Sequence, residues 1–306
     1  MPTPATSAPS VLPLAPVLAT ACRNGFAVGS FAPRYTSMIR PILRAGEKLN
    51  SPLIVQISQR EMERYGITPH EFGEAFRRGM DEVQPTVPVV LHLDHTFELS
   101  VIAAAIDAGF TSVMMDGSAK PFEENVAVSR EAAELAHDRG VSIEAELGKI
   151  GTTDYVETDD DVELYTDPQE AADFVEQTGV DALAVSVGTA HGHYIVRQPK
   201  IDFERLRRIR EATPVQLVLH GGSGVPAEMI RRAIALPGGG ISKVNIATDL
   251  EAGLLAALGR ESRMSNAECS ALPDEQRRKA EKAVEDVVAD KIESFLLSAG
   301  KADLFR

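Results

Sequence analysis

The amino-acid sequence predicts an α/β fold: a single closed barrel of eight parallel strands, each followed by a helix, with a further helix at the C-terminus. Three observations lead there. From about Gly25 onward, short apolar, β-branched runs alternate with longer segments of helical period, the pattern of a parallel sheet covered on both faces. Eight such runs and eight helical stretches follow one another, which is what a (β/α)8 or TIM barrel needs. No Gly-x-Gly-x-x-Gly follows the first run, as an open dinucleotide-binding sheet would lead one to expect.

Strands are expected over 26–31, 52–57, 87–93, 111–115, 142–147, 182–187, 215–219 and 242–246. Helices are expected over 36–49, 69–81, 100–108, 121–139, 168–178, 202–211, 226–235 and 274–298. Four of these open on Pro69, Pro121, Pro168 and Pro226, where a missing N–H costs nothing. The stretch 154–166 carries five acidic residues between Glu157 and Glu163 and has no apolar period. It is expected to be a mobile loop after the fifth strand, with solvated acidic side chains.

Residues 1–20 are rich in Pro and Ala, without a basic segment ahead of the apolar residues. They read as a disordered leader rather than a signal peptide, leaving 21–306 as the barrel domain. The net charge is −14, which disfavours nucleic acid and anionic membranes as partners. No apolar run approaches the roughly 18 residues of a membrane helix. Only Cys22 and Cys269 are present, so a reducing, cytoplasmic setting is expected.

Barrel enzymes carry their reactive groups at the C-terminal ends of the strands. Polar residues fall there repeatedly: Ser58, His92-Leu93-Asp94-His95, Asp116-Gly117-Ser118, Glu144-Ala145-Glu146, Gly188-Thr189-Ala190-His191-Gly192-His193, His220-Gly221-Gly222-Ser223-Gly224 and Asn245-Ile246-Ala247-Thr248. Seven polar ends converging on one mouth predict an active site. Three imidazoles from three strands suit zinc, with a position left open for a substrate oxygen. His95, His191 and His220 are the expected ligands. His193 is an alternative to His191, whereas His92 shares the face of Asp94 one layer deeper and reads as a core histidine. Asp94 can exchange a proton with a hydroxyl held by the metal, or it can orient an imidazole. The glycine-rich turn after strand seven and the turn after strand eight occupy the place where barrels bind phosphate.

These residues resemble the metal-dependent class II ketose-bisphosphate aldolases, of the fructose- and tagatose-bisphosphate type. The match spans nearly the whole chain. It is carried by Leu91-His92-Leu93-Asp94-His95, Asp116-Gly117-Ser118, Glu144-Ala145-Glu146-Leu147-Gly148, Gly188-Thr189-Ala190-His191-Gly192, Leu219-His220-Gly221-Gly222-Ser223-Gly224 and Lys243-Val244-Asn245-Ile246-Ala247-Thr248. The last of these looks like the tagatose-type branch. The resemblance implies reversible cleavage of a phosphorylated ketose to dihydroxyacetone phosphate and an aldehyde. It implies one Zn2+ on His95, His191 and His220 that polarises the ketone, with Glu146 near an alternative metal position. Asp94 matches the group handling the C4 hydroxyl proton. Gly192, Gly221, Ser223 and Thr248 match phosphate contacts, Asn245 a dihydroxyacetone phosphate contact and Ser58 a distal contact. A monovalent cation (Na+ or K+) near the phosphate glycines and a homodimer or homotetramer are also implied.

Three departures concern the loop and the aldehyde end. In the loop, Asp154 aligns with the family's proton-carrying glutamate and is one methylene shorter, so Glu157 competes for the role. The family's strand-one asparagine is Ala32 here. The family's Asp-Pro-Arg before the last helix, whose arginine would reach the distal phosphate of a neighbouring subunit's substrate, is replaced by Leu272-Pro273-Asp274-Glu275-Gln276-Arg277-Arg278. Arg34, in the loop after strand one, is a candidate anion contact at the aldehyde end, and Arg277 or Arg278 is the alternative. Other readings are a zinc hydrolase, which needs no phosphate cradle, a Schiff-base aldolase, for which strand six lacks a lysine, and a non-catalytic sugar-phosphate-binding barrel.

Overall fold

The computed structural model describes residues 11–150, 164–192 and 199–305. Its strands are β1 (Val28–Phe31), β2 (Leu53–Ser58), β3 (Val89–Thr96), β4 (Ser112–Met115), β5 (Ser142–Leu147), β6 (Ala182–Val185), β7 (Gln216–Leu219) and β8 (Ile241–Ile246). They pair in parallel in chain order, and β8 closes on β1. The fold is the (β/α)8 barrel that the alternation predicts.

The strands are buried on both faces, and alternation sorts their residues into two environments. Phe31, Val55, Leu91, Ile143, Leu183, Leu217 and Val244 belong to the main core between strands and helices. Val28, Ile54, Val90, Met114, Ala182, Ala184 and Val218 form a separate apolar layer inside the barrel. Two residues further along the same inward face stand Ser30, Gln56, His92 and His220, all buried. The interior is thus apolar at its base and polar at its C-terminal end. This gradient puts the chemistry at the mouth.

The base is sealed by α1 (Leu14–Arg23), whose Leu14, Val17, Leu18 and Ala21 are fully buried on that apolar layer. The disordered leader expected over 1–20 is therefore corrected from Leu14 onward. Prolines disguise the helix, but Pro13 is its N-cap and Pro16 lies in the first turn, where no hydrogen bond is lost. Burial of each Leu or Val there contributes about 1.5–3 kcal/mol.

The expected helices appear as α2 (Ile39–Lys48), α4 (Pro69–Val83), α5 (Leu99–Asp107), α6 (Phe122–His137), α7 (Pro168–Thr178), α8 (Phe203–Ala212), α9 (Ala227–Ile234) and α12 (Asp274–Asp290). The last is shorter than 274–298 because the chain widens to a π-turn over Lys291–Phe295, closed by Leu296 N–H to Lys291 O at 2.9 Å. Three more helices were not expected: α3 (Gln59–Tyr65), α10 (Thr248–Leu258) and α11 (Asn266–Ser270). Among the described residues no helix is long and apolar enough to cross a membrane. The acidic segment 154–166 lies outside the described residues except for its last three. Of these, Thr166 is buried and donates its hydroxyl to Leu147 O.

Candidate active site

A cavity of about 410 Å3 opens at the C-terminal ends of the strands, within the range of small-molecule sites. Arg34, Ser58, Asp94, His95, Glu146, His191, Gly192, Gly221, Ser223, Asn245 and Thr248 all line it. His220 is fully buried just behind, its ring 4.5 Å from that of His95. Asp154, Glu157 and His193 lie outside the described residues.

Strict alternation along β3 points His92 and Asp94 inward and His95 outward. A register shift between Leu93 and Thr96 breaks the alternation, and His95 adopts φ 32°. This bulge with a left-handed residue is a strained feature of the kind found at functional sites. It turns His95 in beside Asp94. Gly221 has φ 68°, and a Cβ there would meet Ala190 O at 2.3 Å. Only glycine lets the β7 turn close onto the β6 turn that carries His191.

The ring nitrogens of His95, His191 and His220 lie within 4.8 Å of one another. His95 Nδ1 is 2.7 Å from Asp116 Oδ2, leaving Nε2, which stands 3.2 Å from His191 Nε2. His220 Nε2 is 3.0 Å from Glu144 Oε1, leaving Nδ1 toward the cluster. His220 Nδ1 and Glu146 Oε2 stand 3.2 Å apart, buried and with no well-formed hydrogen bond to any group, a costly state unless something else fills it. Four carboxylates, Asp94, Asp116, Glu144 and Glu146, crowd these rings, with Lys243 buried among them. Orphaned donor atoms and surplus negative charge fit a divalent metal ion.

Electrostatics reflect the same crowding. Burial works against the charge of His95, but Asp94, Asp116 and Glu146 outweigh it and raise the imidazole to about 10. Burial, reinforced by His95 and His220, pushes His191 well below the usual imidazole range. Burial also opposes the charge of Asp94, yet His95, His92, Lys243 and His220 together hold its carboxyl well below the usual carboxylate range. Glu144 sits at about 2 because Lys243 and His220 overcome its burial. Asp94 is further fixed by Gln56 Nε2, which donates to Oδ2 at 3.0 Å, and by Asn245 Nδ2, which donates to Oδ1 at 3.0 Å. His92 is fully buried, 2.8 Å from Ser112 Oγ and 3.3 Å from Lys243 Nζ. It is the core histidine expected from its place in β3.

At the β7 and β8 ends, Ser223 Oγ accepts from Asp249 N–H at the start of α10, and Thr248 is the first residue of that helix. Gly221, Ser223, Ala247 and Thr248 line the cavity here, where a helix N-terminus and a glycine-rich turn favour an anion. Asn245 Oδ1 is buried without a partner and is available to a hydroxyl donor.

The opposite wall differs from expectation. Arg34 has φ 60° and is 7% exposed, but its Nη1 lies 3.1 Å from Glu251 Oε2 and its Nε 3.6 Å from Glu61 Oε1. Glu251 also takes Arg263 at 3.0 Å and the hydroxyls of Tyr35 and Tyr65. Arg34 is therefore ion-paired rather than the free fork expected for a substrate anion, while its buried Nε has no hydrogen-bond partner. Arg277 pairs with Asp274 on α12, and the cavity of its own chain is lined by neither Arg277 nor Arg278, as fits a residue whose family counterpart serves a neighbouring subunit.

Comparison with known proteins matches residues 13–301 to the family model described as fructose-bisphosphate aldolase class-II. The chain belongs to that family. It is 41% identical over 240 residues to a fructose-bisphosphate aldolase of Geobacillus stearothermophilus, covering 78% of this chain and 82% of that protein. It is 36% identical over 279 residues to one of Staphylococcus aureus, covering 91% and 95%. Among solved structures, the YdjI aldolase from Escherichia coli K12 superposes with a TM-score of 0.80 at 32% identity, over 95% of this chain and 99% of that one. As a class II aldolase, the protein is a carbon–carbon lyase.

Of this aldolase site, Gln56 escapes the sequence reading, and Asp116, Glu144 and Lys243 appear in it only within motifs, with no role. Gln56, Asp116, Glu144 and Lys243 are polar residues on strands or at their ends, but only the closed barrel brings them onto Asp94 and the imidazoles. Glu61 could have been found. Ser58-x-x-Glu61 is a capping box, with Ser58 Oγ accepting from Glu61 N–H and the Glu61 carboxylate accepting from Ser58 N–H, and that pattern announces a helix start.

Proposed function

We propose that this aldolase cleaves a phosphorylated ketose, a ketose 1,6-bisphosphate or related ketose 1-phosphate, reversibly to dihydroxyacetone phosphate and an aldehyde, with one Zn2+ as cofactor. The observation that carries the reading is the convergence, in one cavity, of three imidazoles and a charged Asp94 with a phosphate-type turn. His95 Nε2, His191 Nε2 and His220 Nδ1 would hold the metal, and Glu146 offers a carboxylate beside them. When bound there, a zinc ion supplies Lewis-acid polarisation of the ketone.

The remaining steps belong to the chain's own residues. Asp94 accepts the C4 hydroxyl proton as the C3–C4 bond breaks. Its charge is favoured by Lys243 Nζ, 3.9 Å from Oδ1, and its orientation is set by Gln56 and Asn245. Gly192, Gly221, Ser223 and Thr248 bind the phosphate through N–H and hydroxyl donors, with a Na+ or K+ ion beside the glycines, and Asn245 Oδ1 receives a hydroxyl of the dihydroxyacetone portion. Ser58 contacts the distal end. A loop carboxylate, Asp154 or Glu157, moves the proton at the dihydroxyacetone phosphate carbon. Dihydroxyacetone phosphate release from fructose 1,6-bisphosphate, tagatose 1,6-bisphosphate and ketose 1-phosphates tests the reading. Release from at least one, lost on chelation, is expected. No release from any, with zinc bound, would overturn it.

A further inference from the structure

We infer that Arg60 and Arg64 of α3, within the same chain, are the residues that recognise an anionic group at the aldehyde end of the substrate. The inference rests on the aldolase reading above and adds specificity-determining residues to it. Both arginines line the same cavity as Asp94 and His95. They stand four residues apart on α3, hence on one face of that helix. The Arg60 guanidinium lies 4.9 Å over the Phe97 ring, and Phe97 also lines the cavity. Stacking of this kind holds a guanidinium in place without neutralising it.

Charge accounting separates these two from Arg34. Arg34 stands between Glu61 and Glu251, and the Glu61 carboxylate is further occupied by the N–H and hydroxyl of Ser58. Among the described residues neither Arg60 nor Arg64 has an ion-pair partner. In a chain of net charge −14, two exposed arginines without ion-pair partners beside one cavity make an attractive end for an anion. The chemistry recognised is an oxyanion, either a phosphate or a carboxylate, and planar guanidinium forks suit both.

The test is kcat/KM for the zinc enzyme on three ketose 1-phosphates matched in stereochemistry, ending in a phosphate, a carboxylate or a neutral hydroxymethyl group. Arg60→Gln, Arg64→Gln and the double variant are compared with the parent. In the double variant, the preference for an anionic over a neutral end should fall about ten- to a hundredfold, carried by KM rather than kcat. Whichever anionic substrate loses more identifies the group. An equal proportional loss on all three substrates, or an undiminished preference, would overturn the inference. If the parent cleaves none of them, the aldolase reading fails by itself. Calorimetric binding of glyceraldehyde 3-phosphate against glyceraldehyde then still decides the anion site: affinity for the phosphate form that is unaltered in the double variant refutes it.

Discussion

The wall of the cavity that carries His95, His191 and His220 is made of strand ends, whereas the wall that carries Arg34, Arg60 and Arg64 is made of a loop and one short helix. On the first, positions follow from barrel closure and ladder register: Ser58 stands opposite Asp94, Gln56 opposite His92 and Glu144 opposite Ala182. On the second, Arg34 is placed by a side-chain hub, with Glu251 gathering Arg34, Arg263, Tyr35 and Tyr65 from distant parts of the chain. A strand-end site is hard to move without disturbing the barrel. A hub of side chains can be rebuilt by a few substitutions, so the second wall is the easier one to alter.

Variants can break or sharpen that contrast. The largest effect is expected at Asp94. Asp94→Ala should lower kcat by roughly 10²–10⁴ with metal content unchanged, measured by steady-state kinetics beside elemental analysis; proportional loss of metal and activity would make Asp94 an imidazole-orienting residue instead. Next comes the support beneath the imidazoles. Glu144→Gln removes the charged acceptor of His220 Nε2 and Lys243 Nζ and should weaken metal affinity by about 10–100-fold, read by competition with a chelator.

On the opposite wall, Glu251→Gln leaves Arg34 buried with only Glu61 for a charged partner. Breaking a buried pair of this kind costs about 3–5 kcal/mol of stability, visible in denaturant unfolding. Its effect on kcat should be smaller than that of Glu144→Gln, because Glu251 makes no contact with the imidazoles. The smallest effect on activity is expected at the base of the barrel. Leu18→Ala opens a cavity under α1 and should cost about 2–5 kcal/mol, while kcat stays at the parental value. A fall in kcat would mean that the mouth is not mechanically independent of the base.

The same contrast explains what could be read from residues alone. Period and polar strand ends were sufficient for the barrel, for placing His95, His191 and His220 together at its mouth, and for the deeper position of His92. His95 faces inward only because β3 bulges, and no periodicity announces a bulge. The leader helix was hidden by Pro13 and Pro16, which suit a first turn as well as they suit disorder. Arg34 is charged and follows a strand, so it reads as an anion contact until the fold brings Glu251 onto it. Arg60 and Arg64 sit on a helix of seven residues, too short for a period but flagged by its capping box.

Titration of the metal-free protein with zinc, following dihydroxyacetone phosphate release from its best ketose phosphate, tests the central claim most directly. Activity should be absent at the start, rise in proportion to added zinc and saturate at one equivalent per chain, while His95→Ala, His191→Ala and His220→Ala stay inactive at that equivalence. Full cleavage by the metal-free protein, or parental saturation at one equivalent in any of the three variants, would contradict it.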